Sequence, residues 1–180
     1  MSFLRPAAFA ALVLFVAPVF SSTPASGTLT ADSGPLKYSA GPGFVPNATS
    51  QAGKNTCPDS QFTCDIFTLT VDLPADYDKK HPNGLVVVSV GWAKRALDFE
   101  VFVNRFGDRS KLVSGKSSGN DPETMVFPTE PGTNKYEVIT YPNIATGDTI
   151  TGTISLADAP APYPQKGPKP TFADYKPPSG

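Results

Sequence analysis

Residues 65–73, DIFTLTVDL, set Phe67, Leu69, Val71 and Leu73 on one side of an extended chain and Thr68, Thr70 and Asp72 on the other. A strand with one buried face requires this period of two. The pattern recurs down the chain. LVVVSVGW (85–92) places Val86, Val88, Val90 and Trp92 on one face. Its second face is also largely apolar, which predicts a central strand. ALDFEVFVNRFG (96–107) alternates Phe99, Val101 and Val103 with Asp98, Glu100 and Asn104, with Phe102 as an apolar intruder. SKLVSGK, ETMVF, KYEVITY and TITGTISLA come next, separated by clusters of Gly, Pro, Asn and Asp. Seven such strands in roughly one hundred residues predict an all-β chain, folded as an antiparallel β-sandwich. Twenty Pro and fifteen Gly exclude long helices.

The flanks read differently. Residues 7–20 form an uncharged apolar run behind a single cation, Arg5, and the small residues SSTPASG come after it. The run is too short to span a bilayer, so residues 1–25 read as a secretory signal, cut between about residues 21 and 25. Val19-Phe20-Ser21 and Thr23-Pro24-Ala25 both offer small side chains at the positions a signal peptidase reads. Residues 26–56 read as an extended lead-in outside the core, with a glycosylation sequon at Asn47-Ala48-Thr49. The core is expected at 57–157. The Pro-rich stretch 158–180 reads as a semi-stiff linker or tail. Both extensions are expected to be disordered.

Charge and motif content narrow the function classes. With 15 basic and 16 acidic residues the net charge is −1, which gives no footprint for nucleic acid. No second apolar run predicts a membrane span once the signal is removed. The single histidine, His81, lies in a polar HPNG turn and reads as a solvated loop residue. There is no nucleophile elbow, phosphate loop or His-Glu-x-x-His motif, so no catalytic residue is assigned. No cofactor is expected. Calcium is the one ion with candidate ligands: Asp98 and Glu100 share a strand face, and Glu123 opens a later strand. The plainer reading pairs Asp98 and Glu100 with Lys94, Arg95 or Arg105 at a solvated rim. Thr68 and Thr70 on one strand, with Thr149, Thr151 and Thr153 on another, form a candidate binding face. Rows of Thr are also the ordinary solvated side of a sheet. Because both strands bury the opposite parity at the ends of the core, they are expected to pair as antiparallel neighbours, with the lead-in and the tail leaving the same sheet close together.

CDIFTLTV, VVVSVGW and LDFEVFV occur in that order, succeeded by ETMVF, GTNKYEV and TGTISL. In this order the motifs resemble the bacterial pre-peptidase C-terminal domain of secreted proteins. Glu100 stands where that family usually has a second Asp, and Phe102 where it more often has Tyr. The resemblance implies a jelly-roll-like sandwich and a non-catalytic secreted module, in some members matrix- or carbohydrate-binding. The expected role is an accessory or tethering module, secreted or periplasmic, that meets a following domain or extracellular partner through the Pro-rich tail. A stand-alone polysaccharide- or matrix-binding protein is the alternative, and a small secreted hydrolase a more distant one.

Export makes the two cysteines, Cys57 and Cys64, a disulfide pair on compartment grounds. Closing so small a loop contributes about 2.5 kcal/mol in the chain-entropy model. Mass spectrometry of the exported, unreduced protein is expected to show Cys57 linked to Cys64. Two alkylatable thiols would overturn the pairing.

Overall fold

The computed structural model describes residues 22–44, 46, 64–94, 96–116, 118, 120–145 and 147–160. Among them the chain forms β1 (Ser26–Thr30), β2 (Leu36–Ala40), β3 (Asp65–Leu73), α1 (Tyr77–Lys80) and β4 (Gly84–Trp92). It continues through β5 (Asp98–Arg105), β6 (Asp108–Lys116), β7 (Glu123–Pro128), β8 (Gly132–Ile144) and β9 (Ile150–Asp158). Two sheets result, ordered β1-β3-β8-β5-β6 and β2-β9-β4-β7. All pairings are antiparallel except β1 beside β3, which is parallel. This is the sandwich the alternation predicts, with two more strands than the seven expected.

The core lies where the strand parities meet. β3 turns Phe67, Leu69, Val71 and Leu73 inward. β5 contributes Phe99, Val101 and Val103, β4 contributes Val86, Val88 and Val90, and β9 contributes Ile150 and Ile154. Each is buried, and together they form one contiguous cluster. Phe102 is no anomaly. It faces the opposite side of its sheet, where it joins Cys64, Ile139 and Tyr141 in a second, smaller cluster. The outer face of the β5–β8 pair is therefore covered too.

Three expectations are corrected. First, the stretch after residue 25 is not all outside the core. Residues 26–40 supply β1 and β2, and Leu29, Tyr38, Ala40 and Phe44 are core residues. These five-residue strands are too short for their alternation to stand out. Long-range partners decide them: β1 pairs with β3 and β2 with β9. Second, the strands at 65–73 and 150–158 are not neighbours. β3 lies between β1 and β8, and β9 between β2 and β4, in different sheets. Their shared parity reflects opposed faces of the sandwich rather than adjacency. Third, the described chain does not enter and leave from one side. Ser22 bonds Asp65 and Thr23 bridges Ser39, at the end of the sandwich where Ala40 pairs with Ile150. Asp158 pairs with Gly84 at the other end. β9 spans that distance, about 25 Å at roughly 3.3 Å per residue. Residues 1–21, the sequon and the tail beyond Pro160 lie outside the described residues.

One glycine leaves room for an aromatic contact between the sheets. Tyr38 of β2 pairs with Gly152 of β9, and its ring crosses the sandwich to lie flat on Phe67 of β3, centroids 4.3 Å apart and planes 11° off parallel. A Cβ on Gly152 would lie 2.0 Å from Tyr38 Cε1 and 2.1 Å from its Cζ, a hard overlap with the ring. Gly152→Ala is therefore expected to destabilise by about 1–3 kcal/mol or more through overpacking. By contrast, Gly34→Ala meets nothing within 4 Å and is expected to fall within about 0.5 kcal/mol of neutral. Chemical denaturation of the two variants checks the contrast.

Candidate binding face and buried carboxylates

The two threonine rows lie on opposite outer surfaces. Thr68 and Thr70 alternate with inward Phe67, Leu69 and Val71, so they face out from the five-stranded sheet, beside Glu137 and Lys135 of β8. Thr151 and Thr153 alternate with Ile150 and Ile154 and face out from the four-stranded sheet. The expected composite Thr face is thus not formed, because the two strands belong to different sheets.

The β9 row has a setting of its own. Thr149, Thr151 and Thr153 line an open depression of about 550 Å³ with Ser89, Asp121 and Asp148. A second depression, of about 450 Å³, adjoins it on Thr151 and Thr153 and adds Thr23, Lys37 and Ser39. Register explains the convergence: Ser89 pairs with Thr153, Gly91 with Thr151, and Ser39 with Thr151 from the other side. Asp121 is fixed by accepting the Trp92 main-chain N–H at 3.0 Å. Trp92 offers no stacking surface. It is buried against Phe99, and its indole N–H donates to the Leu97 carbonyl at 3.1 Å. The face is a shallow, hydroxyl-rich surface with carboxylates at one side and Lys37 at the other.

The candidate calcium ligands are not brought together. Glu100 pairs with Tyr141 on the outer face of its sheet and is 6% exposed. Its expected place at a solvated rim is therefore wrong. Burial of the β5–β8 outer face, of which Phe102 was the sign, encloses it. Glu123 pairs with inward-facing Val90 in the other sheet, is fully buried, and accepts from the Ser118 N–H at 2.9 Å and hydroxyl at 2.6 Å. β5 itself lies between these two carboxylates. Asp98 is half-buried and accepts from Asn143 Nδ2 at 2.8 Å. Among the described residues no group of three metal-ligating side chains forms. Arg105, expected as a rim partner for these acids, instead donates to Glu130 at 2.6 Å and to the Tyr136 hydroxyl at 3.3 Å. Its guanidinium sits over the Tyr136 ring. Burial pushes that hydroxyl up to about 12.

His81 is more engaged than a solvated loop residue. Its ring stacks on Tyr77 of α1 and its Nδ1 lies 3.0 Å from the Asp158 carboxylate. With the Ala159 N–H donating to the Asn83 carbonyl at 3.0 Å, this ties the end of β9 to the α1 turn. Cys64 packs with Phe102, Ile139 and Tyr141. Its expected partner Cys57 lies outside the described residues.

Asp65 is absent from the residues singled out by motif and charge, although its parity is that of Phe67 and Leu69 and already places it inward. It is 1% exposed. Its Oδ2 accepts the Ser22 hydroxyl at 2.5 Å, while among the described residues Oδ1 accepts no hydrogen bond of good geometry. Thr140 stands opposite it on β8, and Tyr38 of β2 is close enough for the carboxylate to oppose ionisation of its phenol. Burial pushes Asp65 up to about 6, against the opposing pull of Ser22.

No family model matches the chain, and no curated protein does. Four solved chains match it. One is the pre-peptidase C-terminal domain of collagenase from Bacillus anthracis, with 12% identity and a TM-score of 0.41, covering 73% of this chain and 94% of that one. Another is a periplasmic lysozyme inhibitor of g-type lysozyme from Aeromonas hydrophila, with 12% identity and a TM-score of 0.37, covering 73% and 97%. The chain is similar to a pre-peptidase C-terminal domain. Among the described residues no helix is long and apolar enough to cross a membrane.

In the unprocessed chain, where the Ser22 nitrogen is part of a peptide bond, Asp65 makes the stability of the sandwich depend on pH. Its folded pKa lies above its unfolded value of 3.8. Between the two the folded state holds more protons, so stability falls as pH rises from about 4 to about 6. The loss is on the order of 3 kcal/mol. Asp65→Asn is expected to flatten that part of the profile, as read by denaturant melts across pH 4–7.

Proposed function

We propose that this chain acts as a secreted, non-catalytic β-sandwich module that tethers or assists a larger extracellular protein. One observation carries the reading: the described chain runs in at the Asp65 end of the sandwich and out at the Asp158 end. A module whose chain starts at one pole and leaves from the other carries whatever it tethers at the Asp158 pole. The outgoing end is anchored by the His81–Asp158 and Ala159–Asn83 contacts, so the Pro-rich stretch starts from a fixed point. In this reading the chain beyond Pro160 is the semi-stiff segment that meets a following domain or partner.

A second reading, a polysaccharide- or matrix-binding protein, is favoured by the hydroxyl-rich depression around Thr151 and Thr153. Such a surface can hydrogen-bond a polyhydroxylated chain without stacking.

Limited proteolysis decides whether the tail is a tether. Removing the residues beyond Pro160 is expected to leave one cooperative unfolding transition at an unchanged melting temperature. Loss of cooperativity would make the tail part of the fold and end the tether reading. The second reading is tested by depletion on insoluble polysaccharides and on fibrillar matrix protein. Binding weakened at least tenfold by Thr151→Lys supports it, and no retention removes it.

A further inference from the structure

Asp65 is a buried carboxyl with an incomplete set of partners. It faces inward from β3, and the groups around it are the Ser22 hydroxyl, the Ser22 and Ile66 main-chain N–H groups, Thr140 of β8 and Tyr38 of β2. Tyr38 is the one other titratable group among these, and it is neutral at ordinary pH, since burial and the Asp65 charge both oppose its ionisation. Among the described residues no cation acts on Asp65. A buried carboxylate without a cation is costly, and folds ordinarily avoid it or pair it. The group placed against it is the main-chain nitrogen of Ser22, the first described residue after the apolar leader.

We infer that the exported chain begins at Ser22, released by cleavage of the Ser21–Ser22 bond, and that the new α-ammonium group pairs with the Asp65 carboxylate to lock that end of the sandwich. The inference rests on the proposed secretion of the chain. The step is a hydrolysis: water adds to the Ser21 carbonyl carbon and the C–N bond to Ser22 breaks. Ser21 keeps the carboxylate, and the Ser22 nitrogen takes up protons to become an ammonium. A signal peptidase acts on the chain before it folds, so the burial of Ser22 in the finished sandwich is no obstacle.

Sequence allowed two cuts, and the geometry separates them. The first leaves Val19 and Ser21 in the positions the peptidase reads. The second, after Ala25, would discard Ser22 and Thr23. Ser22 makes the 2.5 Å bond to Asp65. Thr23 exchanges two main-chain hydrogen bonds with Ser39 of β2, at 2.7 and 3.1 Å, and the Ala25 carbonyl accepts the Thr68 N–H of β3 at 3.0 Å. Residues 22–25 thus join the two sheets, and a cut after Ala25 would remove that join. A cut before Ser22 keeps all of it and adds the missing charge.

The test has two arms. In the first, the full chain is expressed in a host that exports it, and the N-terminus of the exported protein is sequenced. Ser22 as the first residue is expected. A start at Ser26, or at any other residue, overturns the cleavage assignment. Retention of Met1 in unexported protein overturns the export reading instead, and with it the cleavage assignment.

The second arm judges the pairing whatever the first gives. Residues 22–180 are prepared with a free Ser22 amine and, separately, with that amine acetylated. At pH 7 the free-amine form is expected to melt at least about 3 °C higher. Stability of the acetylated form should also fall from pH 4 to 6, because its Asp65 stays unpaired. In the free-amine form the pairing lowers the Asp65 pKa and that fall disappears. Asp65→Asn should erase the difference between the two forms. Should that variant not fold, the acylation rate of the Ser22 amine in the native free-amine chain serves instead. It is expected to be at least about tenfold slower than in the urea-unfolded chain. Equal melting temperatures, or equal acylation rates, overturn the pairing.

Discussion

The contact on which the closure of this sandwich depends is the stack of Tyr38 on Phe67. It is made across the two sheets, in a slot that exists because residue 152 has no side chain. Tyr38 comes from β2, a five-residue edge strand held by its pairing with β9 and by the Thr23 bridge to Ser39. Phe67 comes from β3, which carries β1 along its other side. Through this stack the short N-terminal strands become part of a core that would otherwise be left open at one end. Burying aromatic rings of this size brings a large apolar area and a geometry that tolerates little displacement.

Around that stack the same end of the molecule collects its unusual polar chemistry. Asp65 and Thr140 lie beside it on the five-stranded sheet, and Ser22 and Thr23 close over it. The opposite end is held by surface-accessible pairs instead: His81 with Asp158 and Arg105 with Glu130. The two ends differ in physical kind. One is dry and depends on satisfying a buried carboxyl. The other is wet, and its ion pairs are individually weak. The incoming segment is thus fixed within the fold, and the outgoing segment is anchored at the surface.

The outer surfaces are also unlike. The β5–β8 outer face is buried and holds Glu100, Asn104, Phe102 and Tyr141. The outer face of the four-stranded sheet buries Leu85 and Val126 with Ala159 towards its Asp158 end and is open towards the other, where the hydroxyls of β2, β4 and β9 meet the carboxylates of Asp121 and Asp148. Function, where it involves contact with another molecule, has more room on the second.

The long strands were legible from residues alone. Alternation in DIFTLTVDL and LVVVSVGW fixes which side chains are buried, because a pleated strand has no other way to sort apolar from polar groups. The inward Phe99, Val101 and Val103 follow from the same rule, and so does the buried Asp65. Periodicity is local, however, and says which face is buried without saying against what. It could not assign β3 and β9 to different sheets, or place the two Thr rows on opposite surfaces. Nor could it show that β5 separates Glu100 from Glu123, or that SGTLT and LKYSA are strands at all. Those outcomes were decided by tertiary pairing: hydrogen-bond partners far apart in sequence, and a slot at Gly152 that has meaning only once Tyr38 arrives to fill it.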